Sequence, residues 1–140
     1  MSVYLDASVI VALLTDDAHN SRANAFLAMQ QPVLAISDFA AAEFAAAIGR
    51  HVRTGTTTRE EAFAAFASFD AWAARVAQRT TTEAADVTAA AAFLRRLDLN
   101  LRTPDALHIA IAQRIGATLA TFDEKMAANA SILGTPVILA

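Results

Sequence analysis

The chain has 140 residues, of which 56% are hydrophobic and none is cysteine, and its formal net charge is −3 at pH 7. This length is typical of one domain with a substantial core, and the lack of cysteine excludes disulfides, thiol catalysis and cysteine-bound zinc. Much of the apolar fraction is alanine, and no apolar run approaches the roughly 20 residues of a membrane-spanning helix. We therefore predict one cytoplasmic domain over residues 1–140, without a signal peptide.

Four short apolar stretches are predicted to be buried strands of a parallel sheet, because they are rich in Val, Leu and Ile and lack polar alternation. They cover residues 3–6, 33–37, 118–122 and 136–140. Helical segments separate them, and one of these opens with a capping box formed by Thr58 and Glu61. The alternation predicts an α/β, three-layer sandwich with a short, mainly parallel sheet of four or five strands flanked by helices.

The helix in LRTPDALHIAIAQRIG (101–116) shows the clearest start and stop signals. We predict Thr103 as its N-cap and Pro104 as its first residue, where the missing N–H does no harm. Gly116 is a natural stop after the last turn. Asp38 is predicted to cap the helix that follows the second strand.

Four acidic residues fall at comparable places in this pattern. Asp6 and Asp123 each close a strand, Glu43 lies in the second turn of the helix leaving strand two, and Asp105 lies in the first turn of its helix. If the helices run antiparallel to the strands, all four carboxylates lie at the carboxyl edge of the sheet, where open α/β folds build their sites.

Convergence of four carboxylates predicts a bound cation. Two like charges about 4 Å apart repel by roughly 4 kcal/mol at an effective dielectric near 20. Mg²⁺ or Mn²⁺ would relieve this repulsion, since hard ions prefer carboxylate and water oxygens. Such a site activates water and neutralises a phosphate under attack. Ten of the 11 basic residues are arginines, whose planar guanidinium suits phosphate, so the acidic net charge does not exclude a phosphate-bearing substrate.

Each acid also has a structural interpretation when it is taken alone. Asp105 would be favoured by the helix dipole, Asp6 could be an N-cap, Glu43 could be a partly exposed helix residue, and Asp123 could start a short helix. The four together favour a site, because independent caps would not need to share one edge.

Neighbouring polar residues are open to the same two interpretations. Ser8 and Thr121, each two residues from a key aspartate, could orient a carboxylate or water, or could simply cap a helix and suit a strand. His108 shares a helix face with Asp105, and we expect a satisfied core or rim histidine. Glu124 is expected to be solvated.

Segments along nearly the whole chain resemble the PIN-domain family, and more narrowly the VapC toxin ribonucleases of type II toxin–antitoxin systems. They are YLDASVIVALL, the isolated helical glutamate after VLAIS, LRTPDALHIAIA, and LATFDEKMAANA before PVILA. The DALHIA and T-x-D segments are fairly specific in this order and separation, whereas D-x-S alone is weak.

The resemblance implies a PIN-like fold and an acidic Mg²⁺ site, whose residues in this chain are Asp6, Glu43, Asp105 and Asp123. Asp123 and Glu43 would reach the metal through water, and Ser8 and Thr121 match the family's hydroxyl positions beside the site. The resemblance further implies a homodimer and a cognate VapB-like antitoxin, with which the toxin forms a larger assembly.

The function predicted from these observations is that of a Mg²⁺-dependent endoribonuclease, the toxin component of a toxin–antitoxin pair. Metal-activated water would hydrolyse RNA phosphodiester bonds at the acidic cluster, with Arg50 and Arg102 as candidates for contacting RNA or an antitoxin. Two alternatives stay open: an aspartate-dependent phosphatase-like domain, and a non-catalytic dimerisation and interaction module.

Overall fold

The computed structural model describes residues 1–140, apart from the side chain of Gln30. Five strands form one sheet in the order β3-β2-β1-β4-β5, and every neighbouring pair is parallel. The strands are β1 Ser2–Leu5, β2 Val33–Ser37, β3 Ala77–Thr80, β4 Thr118–Thr121 and β5 Val137–Leu139. The predicted α/β class is confirmed, with the larger of the two expected strand numbers.

Seven helices connect and cover the strands in the described chain. They are α1 Ala7–Leu14, α2 Asn20–Gln30, α3 Asp38–Arg53, α4 Arg59–Val76, α5 Ala84–Leu94, α6 Thr103–Ile115 and α7 Glu124–Ile132. Among the residues described, no helix has the length and apolar character needed to cross a bilayer.

The core lies on both faces of the sheet because side chains alternate along each strand. In β1, Val3 and Leu5 point into a cluster with residues of α1, α3 and α4. Tyr4, between them, points to the opposite cluster, which includes residues of α6 and α7. This arrangement is the predicted three-layer sandwich.

Strand β3 is the element that the sequence did not locate. Its sequence, AQRT, has no apolar run, and Gln78 and Arg79 are exposed because the strand lies at the edge of the sheet. An edge strand needs little apolar side-chain burial, so the hydrophobic pattern used for the other strands could not detect it.

The predicted N-caps of α6 and α3 are wrong by one residue, whereas the predicted capping box of α4 and the predicted glycine stop of α6 are confirmed. Helix α6 begins at Thr103 itself, with Arg102 as the N-cap residue. Helix α3 begins at Asp38 after Ser37, whose Oγ accepts a hydrogen bond from the N–H of Ala40 at 2.9 Å. The capping box at the start of α4 is present, and α6 ends on a glycine with a φ of 68°.

Candidate active site

A cavity of about 420 Å³ opens at the carboxyl end of the sheet and is lined by all four acids. Asp6 follows β1 and Asp123 follows β4 by two residues, while Glu43 and Asp105 lie near the N-terminal ends of α3 and α6. The helices therefore run antiparallel to the strands and bring these carboxylates to one edge. Arg50, Arg102 and Ser8 line the same cavity.

Asp6 is the most deeply buried of the four, with 3% of its surface exposed. Its Oδ1 accepts hydrogen bonds from Ser8 Oγ at 2.6 Å and from the N–H of Val9 at 3.2 Å, so that it caps α1. Its Oδ2 accepts a hydrogen bond from Thr121 Oγ1 at 2.5 Å. Burial raises the pKa of Asp6 above its usual value, and the hydrogen bonds from Ser8 and Thr121 oppose this effect.

Ser8 and Thr121 also join the turn after β1 to the turn after β4. The N–H of Phe122 donates to Ser8 Oγ at 3.2 Å, and the N–H of Asp123 donates to Thr121 Oγ1 at 2.9 Å. Asp123 in turn caps α7, with its Oδ1 accepting from the N–H of Met126 at 3.0 Å. The two hydroxyls thus hold both aspartates at fixed positions on the sheet edge.

Asp105 has a cationic partner from its own helix start. Arg102 places Nε 3.4 Å from Oδ2 and Nη2 3.5 Å from Oδ1, and its backbone N–H lies 3.4 Å from Oδ2. These distances are long, and the Arg102 side chain is 74% exposed, so the pair contributes little to stability.

Glu43 accepts its hydrogen bond from a buried histidine. Its Oε1 is bonded to Nε2 of His108, a residue that is 2% exposed. Nδ1 of His108 lies 2.7 Å from the hydroxyl of Tyr4, which lies 2.7 Å from Oγ of Ser37. His108 is therefore a satisfied core histidine, as expected. Tyr4 was not singled out from the sequence, although a tyrosine within a buried strand requires a hydrogen-bond partner.

The four carboxylates line one cavity. Within the described side chains, no group of three histidine, aspartate or glutamate residues is placed to hold one metal ion. Each carboxylate has a non-acidic hydrogen-bond partner of its own. Asp6 and Asp123 are N-caps, so their structural interpretation is correct, and both line the cavity as well.

The donor set fits a hard divalent cation. The cavity offers carboxylate oxygens, the chain has no cysteine, and oxygen donors with water suit Mg²⁺ or Mn²⁺. Burial disfavours the charge on Asp6, and a cation beside it would reverse this effect. Water can complete the coordination where carboxylates stand apart, as is usual for Mg²⁺.

Several further residues line the cavity without having been predicted to do so. They include Asp17, His19, His51 and Phe122. The rings of His19 and Phe122 stack with centroids 4.5 Å apart. No local sequence pattern indicates that the turn before α2 would bring Asp17 to the cavity. Glu124 is exposed, as expected.

A family model described as the PIN domain matches residues 3–132, a span that contains all four acids. The chain belongs to the PIN-domain family. Ribonuclease VapC46 of Mycobacterium tuberculosis is 31% identical over 140 residues, with 98% of this chain and 96% of that protein covered. The resemblance stated from the sequence is therefore confirmed.

Several solved structures show the same fold. The Sarcin-Ricin loop cleaving toxin VapC20 of Mycobacterium tuberculosis matches with a TM-score of 0.73 and 22% identity, over 99% of this chain and 98% of that one. FitAcB from Neisseria gonorrhoeae matches with a TM-score of 0.77 and 15% identity, over 97% and 96%. VapBC2 from Rickettsia felis, bound to a DNA fragment from its promoter, matches with a TM-score of 0.73 and 17% identity, over 99% and 98%.

Proposed function

We propose that residues 1–140 form one PIN-like nuclease domain that acts as a Mg²⁺-dependent endoribonuclease, the toxin component of a toxin–antitoxin pair in the cytoplasm. The observation that carries this proposal is the cavity at the carboxyl edge of the sheet, lined by four carboxylates from four separate segments. Similarity to a ribonuclease over nearly the whole chain supports RNA as the substrate.

The residues that would hold the metal are Asp6, Glu43, Asp105 and Asp123. A divalent ion at such a site neutralises charge on a scissile phosphate and makes water a stronger nucleophile at neutral pH. Asp6 is the central ligand of this proposal, because it is the most buried of the four and both of its oxygens are oriented by hydrogen bonds.

The remaining residues orient the acids and bind RNA. Ser8 and Thr121 fix the direction of the Asp6 carboxylate through bonds of 2.6 and 2.5 Å. Arg50 and Arg102 are exposed and line the cavity, so their guanidinium groups are available to bind RNA phosphates. Cleavage would leave a 5′-phosphate and a 3′-hydroxyl.

A VapB-like antitoxin and a second copy of the chain are the proposed protein partners. Support for the antitoxin comes from the VapBC2 structure of Rickettsia felis, which has the same fold. Large apolar side chains are exposed at Met29, Phe63 and Leu97, and exposed apolar surface marks partner contacts. Light scattering of the purified chain at micromolar concentration should give the mass of a dimer, and a monomer mass would contradict this.

The decisive experiment compares RNA cleavage by matched acid-to-amide variants. Asp6→Asn and Asp105→Asn should lose cleavage of a panel of RNAs in Mg²⁺, and EDTA should abolish cleavage by the wild type. Glu124→Gln is the matched control, because Glu124 adjoins Asp123 in sequence but is exposed. Parent-like cleavage by Asp6→Asn in an equally pure preparation would refute the mechanism.

The phosphatase-like alternative has less support, because the similarity over nearly the whole chain is to a ribonuclease. Trapping an acyl-phosphate on Asp6 would favour this alternative over the ribonuclease.

A further inference from the structure

A buried polar chain leads from the start of α3 through the sheet to Glu43. It passes from the N–H of Ala40 to Ser37 Oγ at 2.9 Å, to the Tyr4 hydroxyl at 2.7 Å, and to His108 Nδ1 at 2.7 Å. His108 Nε2 is then bonded to Glu43 Oε1. Ser37, Tyr4 and His108 are all buried, so this chain is shielded from water.

The hydrogen positions in this chain follow from the chemistry of its members. A glutamate carboxylate can only accept, so Nε2 of His108 must carry a hydrogen. In the neutral ring Nδ1 then accepts, and the Tyr4 hydroxyl donates to it. Ser37 Oγ accepts from Ala40 and is free to donate to the oxygen of Tyr4. Every donor has an acceptor in this pattern, and the described chain holds no buried side-chain polar atom without a partner.

Tyr4 is suited to hold the histidine in this tautomer. Burial raises the pKa of the Tyr4 hydroxyl far above its ordinary value, so it remains a phenol that can donate. His108 is also confined by ring contacts, with centroid distances of 5.6 Å to Tyr4 and 5.1 Å to Phe39. The imidazole therefore has a fixed position and a fixed direction of donation.

We propose that His108 is a positioning residue of the metal site, whose Nε2–H holds Oε1 of Glu43 and leaves Oε2 for a cation. The inference rests on the proposed function, because it assigns Glu43 to that site. The Glu43 side chain is 29% exposed, and without this bond it would sample other rotamers into solvent. Loss of a residue that hydrogen-bonds to a metal ligand commonly weakens metal affinity by about 10- to 100-fold.

The two amide substitutions of His108 separate its two contacts. His108→Gln places an amide nitrogen near the position of Nε2, and His108→Asn places one near Nδ1, so only the glutamine variant can still donate to Glu43. We expect calorimetric titration with Mn²⁺ to show affinity about 10- to 100-fold weaker in His108→Asn than in the wild type, and tighter binding in His108→Gln than in His108→Asn. In a Glu43→Ala background, His108→Asn should cause no further loss, because the two residues act as one unit.

Nitrogen-15 NMR of the metal-free wild type supplies a readout that does not depend on metal or RNA. Long-range proton–nitrogen correlations should show His108 as the Nε2–H tautomer. If His108→Asn does not fold, Tyr4→Phe replaces it, since this change removes the donor to Nδ1 and keeps the ring; its Mn²⁺ affinity should also fall.

The outcomes distinguish this inference from the proposed function. An Nδ1–H tautomer, or wild-type Mn²⁺ affinity in His108→Asn or in Tyr4→Phe, would overturn the role of His108 while leaving the ribonuclease intact. A wild type that neither binds Mn²⁺ nor cleaves RNA would refute the proposed function itself, and the role of His108 would fall with it.

Discussion

Replacement of Asp6 by asparagine changes charge at the most buried carboxylate with almost no change in volume. Asparagine can keep the two hydrogen bonds that Oδ1 accepts from Ser8 and Val9. Its NH₂ group would face Thr121 Oγ1, which already accepts from the N–H of Asp123. One hydrogen bond is therefore reversed or weakened, a loss of about 0.5–1.5 kcal/mol, whereas removal of a desolvated charge acts in the opposite direction.

The stability of the wild type relative to Asp6→Asn should fall as pH rises. Because burial raises the pKa of Asp6 above 3.8, the folded protein binds more protons than the unfolded chain between the ordinary and the raised pKa. The Asp6 contribution to stability is fully present below pH 3.8 and is lost as pH rises through the folded pKa. In EDTA, urea denaturation should therefore show the wild type losing stability relative to Asp6→Asn as pH increases from about 4 to about 7.

If the proposed site is correct, bound metal should instead stabilise the wild type relative to Asp6→Asn. A ligand at 100 times its dissociation constant stabilises the native state by about 2.7 kcal/mol, which raises Tm by roughly 5–10 °C in a domain of this size. Differential scanning fluorimetry with Mn²⁺ should show this rise in the wild type and in Asp70→Asn, a control at an exposed position of α4. A rise of equal size and midpoint in Asp6→Asn would refute the assignment of Asp6 as a ligand.

Three further substitutions test other parts of the structure. Arg102→Ala should change the free energy of unfolding by less than about 0.5 kcal/mol, because the ion pair of Arg102 with Asp105 is long and exposed. The same change should raise KM for RNA, and an unchanged KM in a cleavage assay would show that Arg102 does not bind substrate. Arg114→Ala removes bonds of 2.8 and 3.0 Å to Asp86, which is 2% exposed, and should destabilise by about 1–3 kcal/mol in urea, because a buried carboxylate loses hydrogen-bond partners. A loss near zero would contradict this role of Arg114. Gly116→Ala should destabilise the protein by about 1–2 kcal/mol, because φ is 68° and only the backbone conformation is unfavourable, since an added Cβ would meet no atom within 4 Å. Gly116→Asn should destabilise it by less. Equal stability of both variants and the parent in thermal melts would contradict the role of the left-handed conformation in ending α6.

The sheet could be predicted largely because three of its strands are apolar on both sides. Strands β1, β2 and β4 occupy the centre of the sheet, and their burial on both faces requires a continuous run of Val, Leu, Ile or Ala. Strand β3 lies at one edge with Gln78 and Arg79 exposed, so its sequence carries no such signal, whereas β5 at the other edge keeps an apolar sequence and was predicted. Cap positions were misplaced by one residue because the polar residues on both sides of a helix start can serve as the cap.

The positions of the four acids and the hydroxyl partners of Asp6 could be predicted, but the partners of Glu43 and Asp105 could not. Asp6 and Asp123 are placed by strand ends, a local feature. The contacts of His108 with Tyr4 and Glu43 join residues 104 and 65 positions apart, and they depend on how α6 packs against β1 and α3. The short-range bond of Arg102 to Asp105 was also missed, because the sequence was interpreted with Thr103 as the cap.

The capping role and the proposed metal role of the aspartates are complementary. A capping oxygen accepts one backbone N–H, and Asp123 engages only Oδ1 in this way, so its second oxygen is free for a cation or its water. The caps orient the carboxylates and offset their charge with helix N-termini, which allows the site to assemble before metal arrives. In the proposed site, Asp6, Glu43 and His108 set the affinity for the ion, so that metal affinity and folding stability can be measured separately.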